Sequence, residues 1–134
     1  MARASRRRGP AADFTIPAAL TVVPNLTVTR FYNTGLLLII FFLEVNNNAA
    51  IVETVVCRVL VDGTPQPNFL VGLQLPIGLA QNYGYTVIVP VTQGIHTIQL
   101  QAQRLTGGPD VITANSGELS VIELPAWDLQ QDIL

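Results

Sequence analysis

Four of the seven arginines stand close together near the start of the chain, at Arg3, Arg6, Arg7 and Arg8. Guanidinium groups bind oxyanions through paired hydrogen bonds, so such a cluster can bind the phosphates of a nucleic acid or the carboxylates of an acidic protein. A third interpretation is a solubilising tail that binds nothing. No aromatic residues are interleaved with these arginines to stack on bases, and this favours a protein partner over nucleic acid.

The chain has one histidine, His96, and one cysteine, Cys57. A cysteine–histidine pair can act as a nucleophile, but neither a third orienting group nor an oxyanion loop accompanies these two residues. We interpret Cys57 as a small buried hydrophobic residue and His96 as a structural hydrogen-bonding residue. The nine acidic residues are scattered without the spacing of a glycosidase pair or a calcium loop. The sequence therefore predicts no enzyme, no metal site and no cofactor.

Aromatic residues are the remaining candidates for ligand binding, because sugars stack on exposed rings. The chain has only nine of them and they do not cluster in the sequence, so we interpret most as core or interface residues. Those considered for a sugar-stacking platform are Phe41, Phe42, Tyr83, Tyr85 and Trp127. Near the end of the chain we predict a C-terminal contact with a neighbouring subunit, formed by Trp127, Leu129, Ile133 and Leu134.

The most apolar stretch is GLLLIIFFLEV, residues 35–45. Its eight consecutive apolar residues are too few for a membrane helix, which needs ~20, but they suit a buried strand. In a two-layer sheet protein only one face of such a strand meets the internal core. The other face must be covered by a second subunit or a crossing segment. We predict a subunit interface formed by Leu36, Leu38, Ile40 and Phe42.

Strand patterns recur along the rest of the chain, separated by Gly- and Pro-rich turns, and no stretch keeps a helical period over three turns. The cleanest is HTIQLQAQ, in which Ile98, Leu100 and Ala102 point inward. Short strand patterns separated by turns in this way predict an all-β, single-domain sandwich of jelly-roll type. We divide the chain into an extended basic arm (1–14), the sandwich (15–125) and a C-terminal strap (126–134). The predicted strands are 21–31, 36–45, 51–61, 69–75, 85–91, 96–103, 111–114 and 119–124.

The composition also favours assembly. Hydrophobic residues make up 49 % of the chain and charged residues 12 %, about half the usual charged share. From residue 9 onward three arginines face nine acids, a net charge of −6, whereas the first eight residues carry +4. A surface with so few charges predicts an oligomer or a lattice component. No apolar stretch follows the basic start, so we expect no export signal.

Two segments near the C-terminus, QGIHTIQLQAQ and LSVIELP, are joined by a Gly-rich loop. Together they resemble the last strands of small phage virion jelly-roll proteins, which include capsid decoration (cement) proteins and some tail-fibre tips. They are also similar to the trimeric jelly rolls of the tumour-necrosis-factor and C1q type. The resemblance covers roughly the last third of the chain and implies a homotrimer on the outside of a capsid, bound to the major capsid (coat) protein.

On this resemblance we expect a decoration protein that is made in the host cytoplasm and located on the capsid surface of the virion, without a membrane partner. The arm would extend its contacts over neighbouring coat subunits through Arg3, Arg6, Arg7, Arg8 and Phe14. Two alternatives stay open. One is a tail-fibre or receptor-binding tip that recognises a cell-surface glycan. The other is a small jelly-roll coat protein whose arm faces packaged nucleic acid.

Overall fold

The computed structural model describes residues 4–10, 14–48, 50–105 and 112–125, with side chains for all of these except 67–73, 112–115 and 125. Within these ranges every regular element is a β-strand. The strands are β1 (Ala4–Arg8), β2 (Phe14–Thr15), β3 (Thr21–Tyr32), β4 (Gly35–Asn47), β5 (Glu53–Val61), β6 (Thr64–Leu75), β7 (Ala80–Val91), β8 (Gly94–Arg104) and β9 (Ile112–Pro125).

Two antiparallel sheets form the sandwich. The first has the order β1-β9-β4-β7, with β2 also paired to β9, and the second has the order β3-β8-β5-β6. If β1 and β2 are counted as one interrupted strand, the first sheet holds the first, eighth, third and sixth strands. The second holds the second, seventh, fourth and fifth. This is the strand order of a double-sheet jelly roll, so the predicted all-β jelly-roll sandwich is confirmed. The predicted trimer stays a prediction.

The core lies between the inner faces of the two sheets. Side chains alternate along each strand, so every second residue points inward. Ile98, Leu100 and Ala102 are fully buried, as predicted. From β4 the inner face contributes Leu37, Ile39, Phe41, Leu43 and Val45, and from β5 it contributes Val55, Cys57, Val59 and Val61.

Two turn signals have different outcomes. The Pro24–Asn25 pair predicts a bulge or corner, and this is confirmed by an irregularity in β3, where the register shifts between Val22 and Thr27 and Asn25 has a φ of 66°. The residues Asn115, Ser116 and Gly117 predict a turn, and this prediction is wrong, because β9 runs without interruption from Ile112 to Pro125. Pairing with β4 continues through that segment with one register shift, which is a β-bulge. Long-range pairing therefore outweighs the local turn propensity.

Strands β6 and β7 begin at residues 64 and 80, earlier than predicted. The reason for β6 is the turn before it. Asp62 and Gly63 both have positive φ, 51° and 81°, which is the conformation of a tight two-residue hairpin. Val61 consequently pairs directly with Thr64, and the strand starts at once.

Two isoleucines of β8 test the core assignment. Ile98 is fully buried and Ile95 is 71 % exposed. We expect Ile98→Ala to lower the free energy of unfolding by about 2–5 kcal/mol, because it leaves a cavity, and Ile95→Ala by less than about 1 kcal/mol. Urea denaturation measures both. Equal losses in the two variants would contradict the assignment of the inner face.

Candidate functional site

The outer face of β4 is apolar. Leu37 and Ile39 are fully buried in the core, so the alternating residues between and beyond them point away from it. Of the predicted interface residues, Ile40 and Phe42 are 37 % and 43 % exposed, and Leu36 and Leu38 are half-buried. The structure therefore places all four on one side of the first sheet, opposite to the core.

The neighbouring strands extend this surface. Leu38 lies directly opposite Ile88 on β7 and Ile122 on β9, and residues paired in this way share one face of the sheet. Ile88 is 55 % exposed. A row of apolar side chains thus crosses three adjacent strands. We call this surface the apolar outer face; its members are Leu36, Leu38, Ile40, Phe42, Ile88, Pro90, Ile122 and Leu124.

The outer face of the second sheet is different. Thr29 and Thr97 face each other there, with their hydroxyl oxygens 3.1 Å apart. Arg58 donates from Nε to Oε1 of Gln101 at 2.8 Å. Exposed large apolar side chains also occur on this sheet, at Phe31 and Ile95 near one end. The two sides of the sandwich therefore differ in polarity, and the predicted interface residues fall on the apolar side. Their role as a subunit interface stays a prediction.

The described part of the basic arm belongs to the first sheet. Strand β1 pairs with β9, with Arg6 opposite Ser120 and Arg8 opposite Glu118. The Glu118 carboxylate lies 3.8 Å from Arg6 and 3.6 Å from Arg8. Phe14 packs against the core of its own chain. Arg3 lies outside the described residues, and a partner-binding role for the arm stays a prediction.

Strand β1, which carries the arginines, forms a basic edge of the first sheet. This basic edge meets the apolar outer face at a cavity of about 440 Å³. Two segments of the chain approach each other closely at this cavity, where the Gly9 N–H donates a hydrogen bond to the Gly117 carbonyl at 3.1 Å. An added Cβ at Gly117 would lie 2.9 Å from the Phe42 carbonyl oxygen, a backbone atom of the paired strand, so glycine is favoured there. The cavity is lined by Arg8, Gly9, Pro10, Phe42, Ser116, Gly117 and Glu118.

The structure does not bring Cys57 and His96 together. Cys57 lies opposite Ala102 on β8, six residues from His96, which is ~20 Å along a strand. Burial raises the pKa of the Cys57 thiol to about 12, although a hydrogen bond with Tyr83 acts in the opposite direction. A thiol in this state is not a nucleophile at neutral pH. Within the described ranges, no group of three histidine, cysteine or acidic residues could hold a metal ion.

His96 is held at both ring nitrogens. Its Nδ1 lies 2.5 Å from Oδ2 of Asp62, and its Nε2 lies 2.7 Å from the Thr92 carbonyl oxygen. Because both partners are acceptors, the doubly protonated ring satisfies both. The Asp62 hydrogen bond and then the Thr92 carbonyl raise the pKa of His96. This arrangement is the structural role that the sequence predicts.

The aromatic residues form no sugar-stacking platform in the described part of the chain. Phe41 and Tyr83 are buried, and Phe41 contacts Tyr85 edge-on at a centroid distance of 4.5 Å. The Tyr85 hydroxyl accepts a hydrogen bond from the Val59 N–H at 3.1 Å. Phe42 is the exposed member. The predicted C-terminal contact residues lie outside the described residues: Trp127, Leu129, Ile133 and Leu134.

Of the residues that the structure describes, none forms a helix with the length and hydropathy needed to cross a membrane.

No protein-family model matches the sequence, and no curated protein matches it. Among solved structures, the chain is similar to VP2 of infectious bursal disease virus in a subviral particle. The TM-score is 0.64 at 17 % identity, over 91 % of this chain and 32 % of that chain. The D431N mutant VP2 protein in derived T=1 particles gives a TM-score of 0.61 at 15 % identity, over 91 % and 32 % of the two chains. The similarity is one of fold, and this chain spans about a third of the VP2 chain.

The His96–Asp62 pair generates a prediction about pH. Burial alone would raise the pKa of Asp62, but hydrogen bonds from His96 and from the Thr97 N–H lower it below 3.8. Because folding raises the pKa of His96, the protonated histidine stabilises the fold. This stabilisation is complete below pH 6.5 and is lost as the pH rises through the pKa of His96 in the folded state. Because folding lowers the pKa of Asp62, the ionised aspartate stabilises the fold. This stabilisation is complete above pH 3.8 and is lost as the pH falls through the pKa of Asp62 in the folded state.

The pair is therefore most stabilising between these two limits. We expect Asp62→Asn to lower the pKa of His96, measured by NMR titration of the imidazole. The loss of unfolding free energy in this variant should be larger at mildly acidic than at alkaline pH. His96→Gln is the matched control and should show the same pH trend. A histidine that titrates at or below 6.5 in the native protein would contradict this account.

Proposed function

We propose that this chain is a non-enzymatic structural protein of a virion, specifically a decoration (cement) protein on the outer surface of a phage head. The observation that carries the proposal is the apolar outer face of a jelly-roll sheet, with Ile88, Phe42 and Ile40 exposed. Contiguous exposed apolar surface of this kind is typical of protein–protein interfaces. The fold similarity to VP2 in viral particles supports a virion as the setting.

The mechanism is assembly by burial of apolar surface. Each Å² of apolar area removed from water contributes ~25 cal/mol, less the cost of ordering the partners. A homotrimer joins three copies of every contact in one rigid body, so that individually weak contacts with a coat protein add up to tight binding. In this proposal copies of the chain contact each other and the coat through the first sheet. The threonines and glutamines of the second sheet remain in water.

A self-assembling coat protein is the second candidate, and the VP2 structures favour it because they are of particles. Against it, the chain spans only about a third of VP2. The two functions differ in what the purified chain does alone. A coat protein forms closed shells, whereas a decoration protein remains a small oligomer until a shell is supplied. Negative-stain electron microscopy of the purified chain separates them.

The subunit contact is tested by Ile88→Asp. A carboxylate on the apolar outer face must be desolvated on association, so we expect the oligomer to dissociate at least about 100-fold more readily, measured by analytical ultracentrifugation. Ile95→Asp is the matched control, because Ile95 is equally apolar and 71 % exposed but lies on the second sheet. Circular dichroism verifies that both variants fold. A native protein that stays monomeric throughout the micromolar range would overturn the subunit contact.

The location is tested on particles. We expect an antibody against this chain to label the outer surface of phage heads purified from the organism that encodes it, by immunogold electron microscopy. Tail-tip labelling would support a receptor-binding tip instead. Absence of the chain from purified particles would remove the virion function altogether.

A further inference from the structure

A second surface, at the edge of the first sheet, is cationic. It is a groove of about 510 Å³ between β1 and β3, lined by Arg6, Arg7, Arg8, Asn25 and Thr27. We call it the basic groove. It lies outside the apolar outer face.

The arginines of this groove are only partly neutralised. Glu118 lies near Arg6 and Arg8, but at 3.8 Å and 3.6 Å these contacts are longer than ordinary hydrogen bonds. One carboxylate among three guanidinium groups leaves a local charge of +2. The side chains of Arg6 and Arg8 are 58 % and 73 % exposed. Most of their N–H donors therefore remain open to a ligand.

The backbone beneath these arginines is held in place. Strand β1 pairs with β9 along its whole length, and Arg30 donates to the Ala4 carbonyl at 3.3 Å. Arg7 lies opposite the buried Leu119, so it projects to the other side of β1 from Arg6 and Arg8. On that side Asn25 and Thr27 of β3 line the groove. Arginine, asparagine and threonine side chains can all donate hydrogen bonds, so the residues that line the groove suit an oxyanion.

We propose that the basic groove binds an extended acidic segment of a neighbouring protein subunit through the carboxylates of its side chains. The identity of the partner as an assembly subunit rests on the proposed function. The anionic chemistry rests on the groove itself, whose three arginines fit carboxylates in pairs of parallel hydrogen bonds.

The charge distribution favours a peptide over nucleic acid. The chain carries −2 overall and −6 from residue 9 onward, so a polyanion that continues past the groove is repelled by the rest of the molecule. A nucleic acid binds along a track of phosphate contacts, with aromatic residues as stacking platforms for unpaired bases. Among the residues that the structure describes, the groove has three arginines and no aromatic lining residue. A short acidic segment matches its charge.

The test measures binding to the purified full-length chain by fluorescence anisotropy. One probe is a short labelled peptide in which glutamate and serine alternate, and the other is a labelled oligothymidylate of matched length. We expect the peptide to bind more tightly than the oligonucleotide. Arg7→Gln should weaken peptide binding about tenfold, the effect of losing one charge-assisted pair. Arg58→Gln is the matched control, because it removes the same charge from the outer face of the second sheet, and it should change the affinity less than about twofold.

Three results would overturn the inference: tighter binding of the oligonucleotide than of the peptide, no detectable peptide binding, or equal peptide affinity of Arg7→Gln and native protein. Its failure is distinguishable from failure of the proposed function, because Ile88 does not line the groove. If the peptide does not bind but Ile88→Asp still dissociates the oligomer, the groove inference fails and the proposed assembly function is retained. If the native protein is monomeric but binds the peptide through Arg7, the groove inference is retained and the proposed subunit contact is refuted.

Discussion

The strand β4 has apolar side chains on both faces, and the sandwich of one chain buries only one of them. Leu37, Ile39 and Phe41 fill the core between the sheets. The residues that alternate with them, such as Ile40 and Phe42, stay substantially exposed. Because β4 lies between β7 and β9 in the sheet, the uncovered side chains sit in the middle of that surface. The position of the most apolar strand thus decides which side of the molecule is suited to association.

The fold was largely predictable from the sequence because burial in a sandwich alternates with a period of two. In HTIQLQAQ the apolar residues Ile98, Leu100 and Ala102 coincide with the inward positions. The outward apolar residues of β4 were predictable for the same reason, since eight consecutive apolar residues must occupy both faces. Their partners Ile88 and Ile122 were not predictable. Strand order depends on long-range pairing, which no local pattern encodes.

The role of the arginine segment was not predictable from the sequence either. Its composition is compatible with a free tail, a nucleic-acid arm and a protein contact, and charge alone does not separate them. What the structure adds is the pairing of Arg7 with Leu119 and the approach of Asn25, residues far apart in the chain. Backbone pairing restricts the arginines to a fixed strand, so their charge acts at a defined edge instead of being spread through a mobile tail.

The basic edge and the apolar outer face belong to the first sheet, so the two sides of the sandwich are not equivalent. Arg8 and Phe42 line the same cavity, so the basic edge and the apolar outer face are contiguous. The second sheet turns threonine, glutamine and arginine side chains outward, and its exposed large apolar residues, Phe31 and Ile95, lie near one end. Association through the first sheet therefore buries the side that is poorly hydrated and leaves the other in water. On an apolar partner surface, the opposite orientation would desolvate hydrogen-bonding groups and leave the apolar outer face exposed, so burial of the first sheet is favoured there.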